Sequence, residues 1–140
     1  MEQTIPKNLE AEQALLSCLC IEGTTDAYDS ISSKVKKEDF YEYKNGLVFN
    51  AISALASKGE TIDTIAICEE LKQLGSLDEV GGVIEVMART DRVQTATSTK
   101  YFANIVSEKA KLREMIKSFR IGVEDALSEE KKASEISGAV

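Results

Sequence analysis

The chain has 140 residues, of which 43% are hydrophobic, and its formal net charge at pH 7 is −7. This length suffices for one domain with a single core, and the hydrophobic fraction argues against disorder. The acidic balance argues against strong binding of nucleic acid by this chain alone, because counterion release from phosphate requires basic side chains.

Several kinds of functional site are excluded by residues that the sequence lacks. It contains no His, so Ser-His-Asp and Cys-His arrangements cannot form. Cys18 and Cys20 lie two apart on a predicted helix, where their side chains diverge by about 200°, and only Cys68 remains. We therefore predict small buried thiols and no zinc or other metal site. The Gly81-Gly82 pair is not followed by Lys-Ser/Thr at P-loop spacing, so no ATP site is predicted in this chain.

The apolar stretch from Ala14 to Ile21 is too short to span a bilayer, and it follows acidic residues rather than a basic leader. It is therefore interpreted as neither a signal peptide nor a membrane anchor. Together with the unpaired cysteines, this predicts a cytoplasmic location.

The first helix is predicted to begin after Asn8, a good N-cap, and to end at Gly23. Glu10 and Glu12 lie in its first turn, where the helix dipole favours acidic residues. Its apolar face is predicted to consist of Leu9, Leu15, Leu16, Leu19 and Cys20. A weaker helix is predicted between residues 25 and 33, followed by a polar loop that brings Phe40 and Tyr41 to the core.

Two clearer helices follow. One runs from Asn45 to Gly59, with apolar residues at helical spacing, and Asp63 caps another that ends at Gly75. The inward side chains of the second are predicted to be Ile67, Leu71 and Leu74. A loop over residues 76–82, a short helix through Val83, Val86 and Met87, and a polar connector over residues 90–99 complete this part. No segment alternates at period two, so the predicted fold class is all-α.

The last predicted helix, residues 97–127, contains no Pro and one Gly. Its apolar residues form a two-seam heptad stripe. At 1.5 Å per residue the helix spans roughly 40–45 Å, whereas a globule of about 100 residues is about 35 Å across. We therefore expect it to overhang the globule and to need a partner helix from the same chain or another subunit. The alternative is that the whole stripe packs on the domain's own core.

These elements predict a compact multi-helix globule over residues 1–96 and, over residues 97–140, a long helix with the start of a hairpin return. Residues 128–132 are predicted to turn, and residues 133–136 to begin the return helix. Over residues 108–120 the local net charge is +3. This region is suited to DNA or an acidic partner, although a solvated helix face with intrahelical ion pairs is commoner.

Short motifs in the same order resemble those of DnaB-type replicative helicases. Residues 5–16 resemble the family's start, in which a Pro and a short spacer precede an xEAEQAxL helix. Further segments resemble, in chain order, the family motifs EDFY (38–41), xIFxAI (47–52), xGExID (58–63), LxEVGG (77–82) and YYAxIVxEKA (101–110). Each motif alone is weak, but together the resemblance covers nearly the whole chain from Ile5 to Leu127. The chain departs at Asn45, Gln94 and Glu85, where the family often has His, Pro and an aromatic residue, and position 85 is expected near a partner-binding surface.

The resemblance implies a non-catalytic domain of a helical globule plus a helical hairpin, which oligomerises as a trimer of dimers and forms a collar on a hexameric motor. Primase is expected to dock on its hairpin and globule surfaces, and a helicase loader to act on the hexamer. ATP hydrolysis with Mg²⁺ and 5′→3′ translocation would belong to a C-terminal RecA-like motor outside this chain. Contact with DNA is then expected only through the full-length assembly. Because Met1 looks like a natural start and the chain stops within the predicted hairpin, we expect a fragment of a longer helicase.

The residues predicted to carry hairpin packing and subunit contacts are Phe102, Ile105, Leu112, Ile116, Phe119 and Val123. Two other interpretations stay open. One is a free-standing helical protein that binds and modulates or inhibits a helicase or primase. The other is an enzyme without a recognisable motif, which the absence of His and of nucleotide and metal motifs disfavours.

Overall fold

The computed structural model describes residues 4–93, 98–129 and 133. Within this part of the chain the fold is all-α, as predicted, and ends in a long helix. Its helices are α1 (Leu9–Glu22), α2 (Thr25–Asp29), α3 (Tyr43–Ser57), α4 (Thr64–Gln73), α5 (Leu77–Val80), α6 (Val83–Thr90) and α7 (Thr99–Ser128), with a 3₁₀ turn at Lys37–Asp39.

Local capping fixes the ends of the first helices where the sequence predicts them. The Asn8 side chain accepts a hydrogen bond from Ala11 N at 2.9 Å, and Gly23 closes α1 in the left-handed conformation. Asp63 caps α4 in the same way through Ala66 N at 2.7 Å. These contacts satisfy amide groups that a helix end otherwise leaves unpaired.

The core is centred on α3, which packs against α1, α2, α4 and α5. The Phe49 ring is fully buried, with the ring centroids of Phe40 and Tyr28 at 4.9 and 5.7 Å. The first turns of α7 join this core from the far side of α1 through Ala103 and Val106. The globule therefore anchors the root of the long helix.

Some predicted burials are wrong. Tyr41 and Leu74 are 44% and 46% exposed, and Leu9 also lies at the surface. Leu9 is the first residue of α1 and Leu74 is the C-cap of α4, so both stand at helix ends. The predicted loop over residues 76–82 contains the one-turn helix α5, and α3 begins at Tyr43, two residues before Asn45. Of the predicted connector, residues 94–97 lie outside the described residues. The predicted turn and return helix also lie outside them, apart from Ser128, which ends α7, Glu129 and Ala133.

Among the described residues, no helix combines the length and the apolar character needed to cross a membrane.

Candidate interaction surfaces

The long helix α7 changes its surroundings along its length. Near its start, Ala103 and Val106 are buried in the core, and Phe102 and Ile105 pack partly against it. Beyond Ser107, the last residue of α7 before Gly122 to be buried, side chains are exposed or half-buried. The distal half of α7 therefore runs past the globule, and the alternative that its whole stripe packs on the domain's own core is wrong.

The distal half carries an exposed apolar stripe, here called the outer stripe, formed by Leu112, Met115, Phe119 and Val123. These residues follow one another at intervals of three and four, which places them on one face of a helix. Phe119 and Val123 are 52% and 58% exposed. An apolar face of this kind on the end of a helix favours contact with another helix.

The structure separates the six predicted interface residues into three environments. Phe102 and Ile105 face the domain's own core, whereas Leu112, Phe119 and Val123 lie on the outer stripe. Ile116 lies at the edge of the outer stripe, is half-buried, and lines a groove of about 300 Å³ together with Ile5. Only three of the six residues therefore share the exposed face, and their role in subunit contact stays a prediction.

Met115 is a member of the outer stripe that the heptad pattern missed. A strict seven-residue repeat drifts around a straight helix by about 20° per repeat, so the exposed face moves off the seams. The spacing of Met115 from Leu112 and Phe119, three and four residues, is the signal that could have identified it.

Arg113 fastens the N-terminal segment, residues 4–8, to the side of α7. Its guanidinium donates to the carbonyl oxygens of Pro6 at 2.9 Å and Asp39 at 2.6 Å, and it lies 5.5 Å from the centre of the Tyr41 ring. The Lys7 ammonium lies 4.5 Å from the same ring. One side chain thus connects α7 to two segments that are distant in sequence.

The predicted basic region of α7 is a solvated face, but not one with intrahelical ion pairs. Lys111, Lys117 and Arg120 are exposed, and within the described residues no salt bridge joins them to Glu108 or Glu114. Arg113 differs, since its donors are taken by the carbonyl oxygens of Pro6 and Asp39. The positive charge of this face is therefore available to a partner.

The family departures at positions 45 and 85 meet in one polar network. Asn45 is fully buried, donates to Glu12 at 3.0 Å and accepts from Arg89 Nε at 3.0 Å. The Arg89 guanidinium also donates to Glu42 and, at 2.6 Å, to Glu85. An amide offers a donor and an acceptor at every pH, whereas a His at this position would titrate near neutrality.

Glu85 is held at the surface of α6 by this network. The hydrogen bond from Arg89, and then its positive charge, lower the pKa of the Glu85 carboxyl. The surface near α6 therefore presents a fixed negative charge where the family often presents an aromatic ring.

A second apolar surface lies between α4 and α6. It is a groove of about 450 Å³ with Ile65, Val83 and Met87 in its walls, and Ile65 is 78% exposed. The carboxylates of Glu69 and Asp91 lie at its rim. It shares no lining residue with the outer stripe.

The described residues contain no group of three or more side chains placed to hold a metal ion. The three cysteines are separate thiols, and burial raises the pKa of each.

Comparison with known proteins identifies the family. The family model described as "DnaB-like helicase N terminal domain" matches residues 4–108. A replicative DNA helicase DnaB from Leifsonia xyli subsp. xyli is 38% identical over 117 residues, which are 84% of this chain and 25% of that protein. This chain thus spans about a quarter of the length of that curated relative.

Solved structures share the fold of this chain. The N-terminal domain of the DnaB helicase from Mycobacterium tuberculosis superposes with a TM-score of 0.86 at 28% identity, covering 96% of this chain and 94% of that one. A DnaB-like replicative helicase, in a structure described together with its interactions with primase, has the same fold. Its TM-score is 0.73 at 23% identity, covering 94% of this chain and 30% of that one. The chain therefore belongs to the family of DnaB-like helicase N-terminal domains.

Proposed function

We propose that this chain is the assembly and partner-docking domain of a replicative DNA helicase and is non-catalytic by itself. The observation that carries the proposal is the outer stripe, an exposed apolar face on a helix that projects from a well-packed globule. Such a face is stabilised when another helix covers it, because burying one large apolar side chain contributes about 1.5–3 kcal/mol.

In this proposal the stripe packs against another subunit, and six subunits form the collar of a hexameric helicase. ATP, Mg²⁺ and strand translocation then belong to other parts of the whole protein, through which DNA is also contacted. The match to relatives four times longer supports this division. A cytoplasmic location and the action of a helicase loader stay predictions.

Docking of primase belongs to the same proposal. The DnaB-like helicase of similar fold is described with its interactions with primase, which supports primase as a partner. The fixed charge of Glu85 at the surface of α6 distinguishes this chain from relatives with an aromatic residue there. We therefore propose that its primase contact is more polar at this point.

The experiment that tests assembly is light scattering of the purified 140-residue chain across a concentration series. Dimers or larger species are expected, and Phe119→Asp is expected to shift them to monomers. The matched control is Ile65→Asp, which places the same charge on the separate apolar groove between α4 and α6. Loss of assembly in the control but not in Phe119→Asp would contradict the assignment of the outer stripe. A monomer at every concentration would also count against assembly through this stripe.

A further inference from the structure

α7 contributes to a second candidate binding surface, most of which is turned away from the outer stripe. It is a groove of about 300 Å³, here called the cationic groove, with an aliphatic floor of Ile5, Ile116 and Ile121. Its rim is formed by Arg113, Lys117 and Arg120, with one carboxylate, Glu124.

The cationic groove and the outer stripe adjoin at Ile116, which lies four residues from Leu112 and therefore close to it on the helix surface. Lys117 and Ile121 each lie two residues from Phe119, which is about 200° around the helix. A helix packed on the outer stripe therefore leaves the side of the groove with Lys117 and Ile121 accessible. The inference drawn from the groove does not depend on the assembly proposed above.

The shape of the groove is well defined, because the N-terminal segment that forms its second wall is held in place. The Arg113 guanidinium donates to Pro6 O at 2.9 Å and to Asp39 O at 2.6 Å, which fixes the segment that carries Ile5 beside α7. Lys117 and Arg120 are exposed, and within the described residues neither forms a hydrogen bond or salt bridge. These two cations, three residues apart, are free to meet an incoming anion.

The positive charge continues into an adjoining groove that shares Arg113. Lys34, Lys36 and Lys111 line it, together with Glu38, Asp39 and Glu114. The two grooves together hold six cations and four carboxylates, a net +2 on a chain whose net charge is −7. Charge is thus segregated, and this face attracts an acidic partner that the rest of the surface repels.

From this arrangement we propose that the cationic groove binds an acidic, amphipathic helical segment of a partner protein. Apolar side chains of that segment would lie on the isoleucine floor, and its Asp or Glu side chains would reach Lys117 and Arg120. Helix-in-groove recognition combines these two kinds of contact.

A single nucleic-acid strand fits the groove less well. Strand-binding grooves stack bases on aromatic rings, whereas the described lining of the cationic groove contains no aromatic side chain. The ring of Tyr41, which Arg113 contacts, already has the Lys7 ammonium 4.5 Å from its centre.

The test uses fluorescence anisotropy with the 140-residue chain and two labelled synthetic peptides of about 18 residues, long enough to form a helix. Both carry Leu at positions i, i+3, i+4 and i+7. One has Glu on its polar face and the other has Lys. A single-stranded oligo-dT of about 20 nucleotides is the third probe.

The Glu peptide is expected to bind, to weaken as salt rises, and to lose at least about tenfold in affinity with the double variant Lys117→Glu/Arg120→Glu. The matched control is Lys72→Glu/Lys100→Glu, which makes the same change in net charge on other surfaces and is expected to bind as the unmodified chain does. Circular dichroism of both variants verifies that the helices are intact.

Three results would overturn the proposal. The first is equal binding of the Glu and Lys peptides, or no binding of the Glu peptide at about 1 mM. The second is an equal loss of affinity in the two double variants. The third is tighter binding of oligo-dT than of the Glu peptide through Lys117 and Arg120, which would assign the groove to nucleic acid.

Discussion

The side-chain amide of Asn45 donates a hydrogen bond of 3.0 Å to the carboxylate of Glu12, and both side chains are buried. The same carboxylate accepts the backbone N–H groups of Tyr41 at 2.7 Å and Glu42 at 3.3 Å. Glu42 is the N-cap residue of α3, and its own side chain makes no capping bond. A side chain of α1 therefore satisfies the amide groups at the start of α3.

Replacing Glu12 with Ala should destabilise the fold by roughly 3–5 kcal/mol, because the amide of Asn45 and two backbone N–H groups lose their acceptor in a dry site. Urea unfolding followed by circular dichroism measures the change. Glu10→Ala, an exposed position in the same first turn, is the control and should change stability by less than about 0.5 kcal/mol. Equal effects of the two variants would contradict the capping role of Glu12.

Gly81→Ala should cost about 2–3 kcal/mol of stability. Gly81 has φ of 109°, outside the small left-handed region open to L residues, and an added Cβ would lie 2.6 Å from Glu85 Cγ. Gly59→Ala serves as the comparison, since Gly59 has φ of 69° and no atom within 4 Å of an added Cβ, and it should cost only about 1 kcal/mol. A smaller loss in Gly81→Ala than in Gly59→Ala would refute this explanation.

Arg113→Ala should release the N-terminal segment from α7, because both of its carbonyl contacts disappear. Tryptic cleavage after Lys7 is expected to become faster, and mass spectrometry of the fragments measures its rate. Arg113→Lys should behave nearly like Ala, since an ammonium lacks the fork that reaches Pro6 O and Asp39 O together. Lys111→Ala, an exposed neighbour on the same helix, should leave the rate unchanged; unaltered cleavage in Arg113→Ala would show that other contacts hold the segment.

The thiol of Cys20 should resist alkylation in the folded chain. Burial, and then repulsion by the Asp63 carboxylate, raise the pKa of Cys20 from 9.0 to about 12, so that little thiolate exists at pH 8. Iodoacetamide labelling with peptide mapping should show Cys20 reacting much faster after unfolding. Asp63→Asn removes the repulsion but keeps an N-cap acceptor, and should speed labelling of the folded chain.

The raised pKa of Cys20 also predicts how the stability of the folded chain depends on pH. The folded chain holds the Cys20 proton more tightly than the unfolded chain. The resulting contribution to the free energy of unfolding is fully present below about pH 9 and is lost as pH rises towards 12. Stability should therefore fall less steeply above pH 9 in Cys20→Ala. A parallel decline in the unmodified chain and in Cys20→Ala would mean that other groups govern the loss of stability.

Local sequence signals predicted the helices well, and long-range contacts explain the predictions that failed. Asn8, Gly23 and Asp63 mark helix ends through bonds to their own neighbours, so the sequence alone sufficed. Glu12 was interpreted from its place in the first turn of α1, whereas its carboxylate caps a helix 30 residues away. The periodicity of apolar residues cannot indicate this long-range contact of Glu12.

The candidate surface was predicted only in part for a similar reason. Helix length against globule size correctly indicated that α7 overhangs. The heptad seams, however, could not show that Ile116 would be covered on one side by Ile5, because the N-terminal segment that carries Ile5 is held beside α7 by a long-range contact with Arg113. Met115 was missed because the prediction used a seven-residue repeat, whereas the exposed face of a straight helix follows 3.6 residues per turn.

The continuity of α7 has a mechanical consequence. Val106 is fixed in the core and Arg113 is bound to the carbonyl oxygens of Pro6 and Asp39, and the helix runs on for another 15 residues to Ser128 without a proline. At 1.5 Å per residue this lever is about 22 Å long, so a tilt of about 10° at its root displaces its tip by about 4 Å. Repacking around Ala103, deep inside the globule, would thereby move the outer stripe, and in the proposed assembly it would shift the position of a neighbouring subunit.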